Sequence, residues 1–235
     1  MSGPAVSGAR GVLDIPLAGL FHGGYLAEVI DLNDPSSLSR VKVRLLSFDG
    51  VNGHDGPVWA RVACPFAGSD RGAFLLPDVG DEVFVIFVNG DPRMPVVVGG
   101  LWNGNSQPPE TISGGQNRRK VIRSKNGVKI TMDDQSGQEQ FIVETPAGQK
   151  ITLKDGPGSV FVEDSNGNSV KLEPAGITVT ASAKVTVNAS TIALSAGMVM
   201  VDAGLSKFSG VVQADTVISN SVISASYTPG AGNIW

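Results

Sequence analysis

The chain has 235 residues, enough for one large β domain or two smaller ones, and its 30 Gly, 14 Pro and only 17% charged residues suit turn-rich β structure. A formal net charge of −4 leaves no polyanion-binding field over the whole chain. No run reaches the ~18–20 apolar residues of a membrane helix, and a lone cysteine excludes an internal disulfide framework. That cysteine, Cys64, falls inside a predicted strand, where a buried structural thiol is expected. The N-terminus lacks a basic stretch followed by an apolar one, so synthesis and folding in a reducing cytoplasm are expected.

Residues 1–24 are rich in Gly, Ala and Pro and read as an extended arm that orders only against a neighbour. Five strands are predicted next: Tyr25–Ile30, Arg40–Leu46, Trp59–Cys64, Val83–Val88 and Val96–Leu101. In the second, Val41, Val43 and Leu45 alternate with Arg40, Lys42 and Arg44, which predicts one core face and one wet face. The fourth is six consecutive apolar residues and reads as a strand buried on both faces. Asn89-Gly90 supplies positive φ at the turn that follows, and Pro92 stops either strand from running through it. Five strands in roughly 80 residues is the size of an OB-type barrel.

Within this stretch the motifs Arg40-Val-Lys-Val-Arg-Leu, Trp59-Ala-Arg-Val-Ala, Ala67-Gly68, Gly72 and Leu76-Pro-Asp-Val-Gly-Asp-Glu-Val come in order before Val83. From Tyr25 to Asn103 that series resembles the β-barrel domain of contractile-tail spikes, namely phage baseplate assembly protein V and the VgrG proteins of type VI secretion. The resemblance implies a homotrimer with an OB-fold barrel followed by a needle-shaped β-helix. It also implies a baseplate hub protein at the barrel end. A large hub domain ahead of the barrel and a lysozyme domain behind it, both known in this family, are not encoded in the sequence, which reads as the compact, unfused form.

Residues 104–117 are a linker by composition. Arg118-Arg-Lys-Val-Ile-Arg-Ser-Lys-Asn-Gly-Val-Lys-Ile-Thr follows and ends in Met132-Asp133-Asp134; it resembles the segment by which these spikes enter their β-helix. The chain then repeats loosely. Asn126-Gly, Ala147-Gly, Asn166-Gly and Ala175-Gly each precede a short apolar-alternating strand, their glycines 21, 19 and 9 residues apart. Beyond them Ile177-Thr-Val-Thr, Val185-Thr-Val, Ile192-Ala-Leu and Val199-Met-Val start 8, 7 and 7 residues apart. Such a unit signals a β-solenoid or an intertwined β-prism. From residue 175 onward only Lys184, Lys207, Asp202 and Asp215 are charged. One seven-residue strand per turn cannot enclose a core, whereas three identical chains winding round one axis can, and closure also hides strand edges.

The sequence is poor in catalytic chemistry. His22 and His54 are its only histidines, both in loop contexts, and no HxH, HExxH or CxxC occurs, so no metal or cofactor is expected. Asp164-Ser-Asn-Gly-Asn168 lacks the glycine and the bidentate glutamate of a calcium loop and reads as an Asx-rich turn. Asp81 and Glu82 are adjacent on a chain entering a strand, so their side chains diverge and a structural role is expected. The basic cluster Arg118, Arg119, Lys120, Arg123, Lys125 and Lys129 reads as a solvated neck where three chains converge. It has no aromatic neighbours, and residues 1–110 carry a net charge of −5, so no nucleic-acid partner is expected.

The expected organisation is an arm over residues 1–24, an OB-fold barrel over 25–103, a linker over 104–117, a β-helix needle over 118–225 and a C-terminal tip over 226–235. The expected function is mechanical and not enzymatic: a homotrimeric central spike docks on the hub of a phage tail or phage-tail-like baseplate and punctures the target envelope. Two readings of the tip stay open: Tyr227, Ile234 and Trp235 give three apolar ends, a platform for a separate tip protein of the PAAR-repeat kind, or Tyr227 and Trp235 fold back along the needle as a cap over the last strand edges. The alternatives are a single-chain β-helix glycan-active enzyme, a lyase or a tailspike-like hydrolase, and a nucleic-acid-binding OB module.

Overall fold

The computed structural model describes residues 21–48 and 56–226; the arm through Leu20, the loop holding His54, and the tip residues Tyr227, Ile234 and Trp235 lie outside the described residues. The fold is all-β, and among the described residues the only helical pieces are two 3-10 turns, Leu46–Phe48 and Val88–Gly90. The chain divides into two units, one through Lys184 and one from Val185.

The first unit opens with β1 (Gly24–Asp31), β2 (Val41–Leu45), β3 (Val58–Val62), the two-residue strands β4 (Ala67–Gly68) and β5 (Arg71–Gly72), β6 (Glu82–Phe87) and β7 (Pro95–Leu101). Five of these close a barrel in the order β1-β2-β3-β7-β6, antiparallel throughout except where β3 meets β7. This is the five-stranded OB arrangement. Its interior is the alternate-residue set of every strand: Ala27 and Val29, Val41, Val43 and Leu45, Ala60, Val83, Val85 and Phe87, and Val97. Burying each Val or Leu contributes about 1.5–3 kcal/mol against exposure, so the barrel has a small but complete core within one chain.

One end of the barrel is stopped by aromatics. Phe21 lies 4.6 Å from the ring of Phe87 and 5.5 Å from that of Tyr25, with Phe48 at 5.9 Å. Its amide donates to the Gly90 carbonyl at 2.9 Å. Asn89, at φ 54°, and Gly90, at φ 72°, make the turn between β6 and β7 through the left-handed region, as the Asn-Gly pair demands.

Two expectations for the barrel are corrected. The apolar run of β6 is not buried on both faces: Val83, Val85 and Phe87 point inward while Phe84 and Ile86 stand on the outer wall. A barrel has only one inside, so half of any strand in it must face out. Cys64 is exposed, because β3 ends at Val62 and the chain leaves the wall there; its thiol donates to the Phe66 carbonyl at 3.3 Å. Asp81 accepts from the Asp78 amide at 2.8 Å, and Glu82 from the Asn103 side-chain amide at 2.6 Å.

The rest of the first unit is one antiparallel meander: β8 (Arg119–Arg123), β9 (Lys129–Asp133), β10 (Gln140–Glu144), β11 (Lys150–Lys154), β12 (Ser159–Glu163), β13 (Ser169–Glu173) and β14 (Gly176–Thr180), each paired with its sequence neighbour. The second unit, described through Ser226, contains no strand among its described residues.

Candidate assembly surface

The two faces of the β8–β14 sheet follow from period-two alternation. Register aligns Met132, Phe141, Leu153, Val160, Leu172 and Ile177 into one cross-strand row. Two residues along each strand, Ile122, Ile130, Val143, Ile151, Val162, Val170 and Val179 make a second row on the same face. Most of these side chains are exposed in the single chain, Phe141 by 40% and Leu153 by 44%. An uninterrupted apolar face of this length is far beyond the scattered exposed aliphatics of an ordinary surface, and such patches mark association sites.

The opposite face is mixed, with Val121, Ile142 and Phe161 set among threonines in its middle row and charged residues in the row beside them. Arg123, Lys129, Glu144, Lys150, Glu163 and Ser169 lie in register, with Lys129–Glu144 at 3.7 Å and Lys150–Glu163 at 3.6 Å. Opposite charges on facing strands favour this pairing. The sheet therefore has one mixed face, on which Thr131 and Asp133 are buried, and one apolar face that stands largely in the open.

Three hairpin loops along one edge share a chemistry. Ser124, Thr145 and Asp164 each donate a backbone amide to the carbonyl four residues on, and each accepts that residue's amide on its side-chain oxygen, at 3.0, 3.3 and 2.9 Å. Their glycines, Gly127, Gly148 and Gly167, sit at φ 92°, 91° and 84°. The loops also stack: a Cβ on Gly127 would come 3.1 Å from Pro146, and one on Gly148 would come 3.2 Å from Ser165. These are three of the four units read from the sequence. The fourth is corrected, because Gly176 begins β14 at the opposite edge, where a nine-residue step crosses the sheet only once.

The Asp164–Asn168 loop is an Asx turn. Asp164 accepts from the amides of Asn166 and Asn168 and from the Asn168 side chain, whose hydrogen bond is the largest influence holding the carboxyl down at about 2. The Asn168 side-chain oxygen Oδ1 in turn accepts from the Ser182 amide at 2.9 Å and its hydroxyl at 3.2 Å, tying down the chain that leaves β14.

At the start of the sheet, the basic cluster is largely consumed by ion pairs. Arg118 donates to the buried Asp133 at 2.8 Å and Arg119 to the same carboxylate at 3.1 Å; Arg119 also reaches Glu110 at 3.6 Å. The Arg118 hydrogen bond, more than any other contact, holds the Asp133 carboxyl well below the usual carboxylate range. Lys120 pairs with Asp134, and Lys125 lies 3.7 Å from Asp78 at the foot of the barrel. Five of the six cations thus have carboxylate partners. Among the described residues no three His, Cys, Asp or Glu side chains stand together as a metal would require.

The second unit is extended, with bends at Ser190, Gly197 and Gly204, seven residues apart, and then at Gly210, Asp215, Asn220 and Ala225, five apart. Val185, Ile192 and Val199 recur at the first spacing, as do Val187, Leu194 and Val201; Val212, Val217 and Val222 recur at the second. Every described residue of this unit is exposed. An extended segment that finds no second segment of its own chain beside it leaves its ladder groups unpaired. The sequence showed the seven-residue repeat, but the five-residue one was not read from it, since its Val-Ile pairs are too short to announce strands.

Residues 25–102 match the family model of the Type VI secretion system/phage-baseplate injector OB domain, and residues 140–205 match that of the phage baseplate V C-terminal trimerisation domain. Among curated proteins, the chain is 31% identical over 104 residues to the type VI secretion system spike protein VgrG1c of Pseudomonas aeruginosa, a match spanning 41% of this chain and 14% of that protein. It is 32% identical over 108 residues to the actin cross-linking toxin VgrG1 of Vibrio cholerae, spanning 43% of this chain and 10% of the toxin. The aligned part is thus a small fraction of either relative. The two matched domains stand in the same order as the barrel and the apolar-faced sheet, and together they take up more than half of the chain. The chain belongs to the family of phage baseplate V and VgrG-type spike proteins.

Proposed function

We propose that this protein is the central spike of a contractile tail or injection apparatus, working as a homotrimer whose barrels dock on a hub and whose needle is driven into a target envelope. The observation that carries the reading is the two-row apolar face of β8–β14, left open in one chain, whose strands β10 to β14 fall within the match to a trimerisation domain. Three such faces turned to a common axis cover one another and leave the charged rows of Lys129, Glu144, Lys150 and Glu163 outside. The extended unit from Val185 onward gains its backbone partners in the same way, from neighbouring chains. We assign the work to sheath contraction and the resistance to buckling to interchain hydrogen bonds around a closed core, with no catalytic group required. On this reading residues 25–103 are the base, 104–117 the connector, 118–225 the needle and 226–235 the tip. Tyr227, Ile234 and Trp235 remain the proposed platform for a conical tip protein on sequence grounds.

Sedimentation equilibrium at low micromolar concentration tests the trimer. The expected mass is three times 24.3 kDa; a stable single-chain species would overturn both the trimer and the needle.

A further inference from the structure

The barrel carries two apolar surfaces that its own core does not use. One is the hairpin of β4 and β5. It has only two rungs, Ala67 opposite Gly72 and Gly68 opposite Arg71, closed by the Ala73 amide on the Phe66 carbonyl at 3.2 Å. Gly72, at φ 154°, lets the strands approach so closely that a Cβ there would come 3.0 Å from the Phe66 carbonyl oxygen. This tight frame presents Phe66, Phe74 and Leu75, exposed by 61%, 73% and 70%. The other surface is the outer wall made by β1, β6 and β7, with Leu26, Phe84, Ile86 and Val98 in the open. Leu26 faces Phe84 in register, and a register shift between β6 and β7 leaves Val98 unpaired on that side. The Phe84 ring lies across Gly24, where any Cβ would come within 1.9 Å of it, so the wall is flat at that point. Within one chain the hairpin does not cover this wall, since both remain exposed.

We propose that the hairpin seats on the β1–β6–β7 wall of the next copy of this chain, so that three barrels close a head-to-tail ring. A cyclic ring of identical chains needs two different patches on each, one given and one received, and these two are of the same apolar kind. The occupant is a second copy because the chain beyond the hairpin is tied to the sheet on which the copies associate. Asp78, in the chain between β5 and β6, pairs with Lys125 in the first loop of the sheet at 3.7 Å, and β7 leads into the linker. The contact therefore sits at the level where the copies are brought together. This inference rests on the trimeric reading above.

The test uses the full chain with Cys64→Ser, which removes the native thiol and keeps a hydroxyl for the Phe66 carbonyl. Phe74→Cys and Ile86→Cys are added together and separately, and each protein is oxidised with copper–phenanthroline and run on a denaturing gel without reductant, beside its native mass by sedimentation. The double variant is expected to give interchain disulfides up to a covalent trimer, and each single variant none. A native trimer whose double variant forms no interchain bond would overturn the ring while leaving the trimer standing, and would free both patches for a different protein. Efficient bonding in either single variant would also overturn it, since like patches would then meet. A parent that sediments as one chain would defeat the trimeric reading itself.

Discussion

The barrel and the β8–β14 sheet use the same local grammar and finish it differently. Both alternate apolar with polar residues along short strands, and both join neighbouring strands by tight turns. In the barrel, β3 meets β7, the wall closes, and Val29, Val43, Val83 and Val85 are fully buried within one chain. In the sheet the meander never returns to its first strand, so Phe141, Leu153 and Val162 occupy equivalent alternate positions and stay in the open. Alternation thus determines which residues share a face; closure determines whether one chain can bury that face. A region that closes alone should have a stability independent of protein concentration, and one that closes between chains should not.

The comparison breaks most sharply at Leu153, in the middle of the first apolar row. Leu153→Asp places an unpaired carboxylate in the buried interior of the assembly, at a cost of about 3–5 kcal/mol per chain. The expected result is loss of the trimer by sedimentation, with the barrel still folded by the near-ultraviolet signal of its aromatic cluster. Persistence of the trimer would show that this face is not the one the copies share.

A smaller effect is expected at the neck, where Asp133 gathers Arg118 and Arg119. Its carboxyl is held below the ordinary value of about 4, so the stabilisation it gives is fully present above that pH and is lost as the pH falls below it. Asp133→Asn should cost about 1–3 kcal/mol at pH 7 by weakening hydrogen bonds to charged groups. Thermal midpoints of parent and variant should differ at pH 7 and converge toward pH 3; a gap that is constant with pH would mean that the carboxylate charge is not what holds the neck.

The smallest effect tests the loop stack. Gly148→Ala forces a Cβ into the left-handed region, 3.2 Å from Ser165, and should cost about 1–2 kcal/mol. Gly104→Ala, in the linker with open space around it, serves as the control and should change the denaturation midpoint by much less. Equal effects would remove the stacking argument.

Much of this molecule was legible before any coordinates. Val41, Val43 and Leu45 were read as inward from alternation with three cations, and they are. Asn89-Gly90 gave its turn away because few residues accept positive φ. The repeat of Gly127, Gly148 and Gly167 was visible as spacing, although the shared role of Ser124, Thr145 and Asp164 was not. Those three differ in identity and have in common only an oxygen one or two bonds beyond Cβ.

The sequence by itself determined which residues lie on one side of each strand, because that follows from backbone geometry two residues at a time. It also raised the expectation that the region after residue 175 needs other chains to cover it, since it carries only four charges among many aliphatics. Only the tertiary structure decided which sides are covered. Phe84 and Ile86 are as apolar as Val83 and Val85, and nothing local marks them as outward; the curvature of a closed five-stranded wall does. Cys64 looked like a continuation of β3 until the wall was seen to end at Val62. Asp133 became a buried anchor for two arginines because β8 and β9 pair in a register that brings residues fourteen and fifteen positions apart into contact. Burial, in each case, is a relation between distant segments, and alternation within one segment does not carry it.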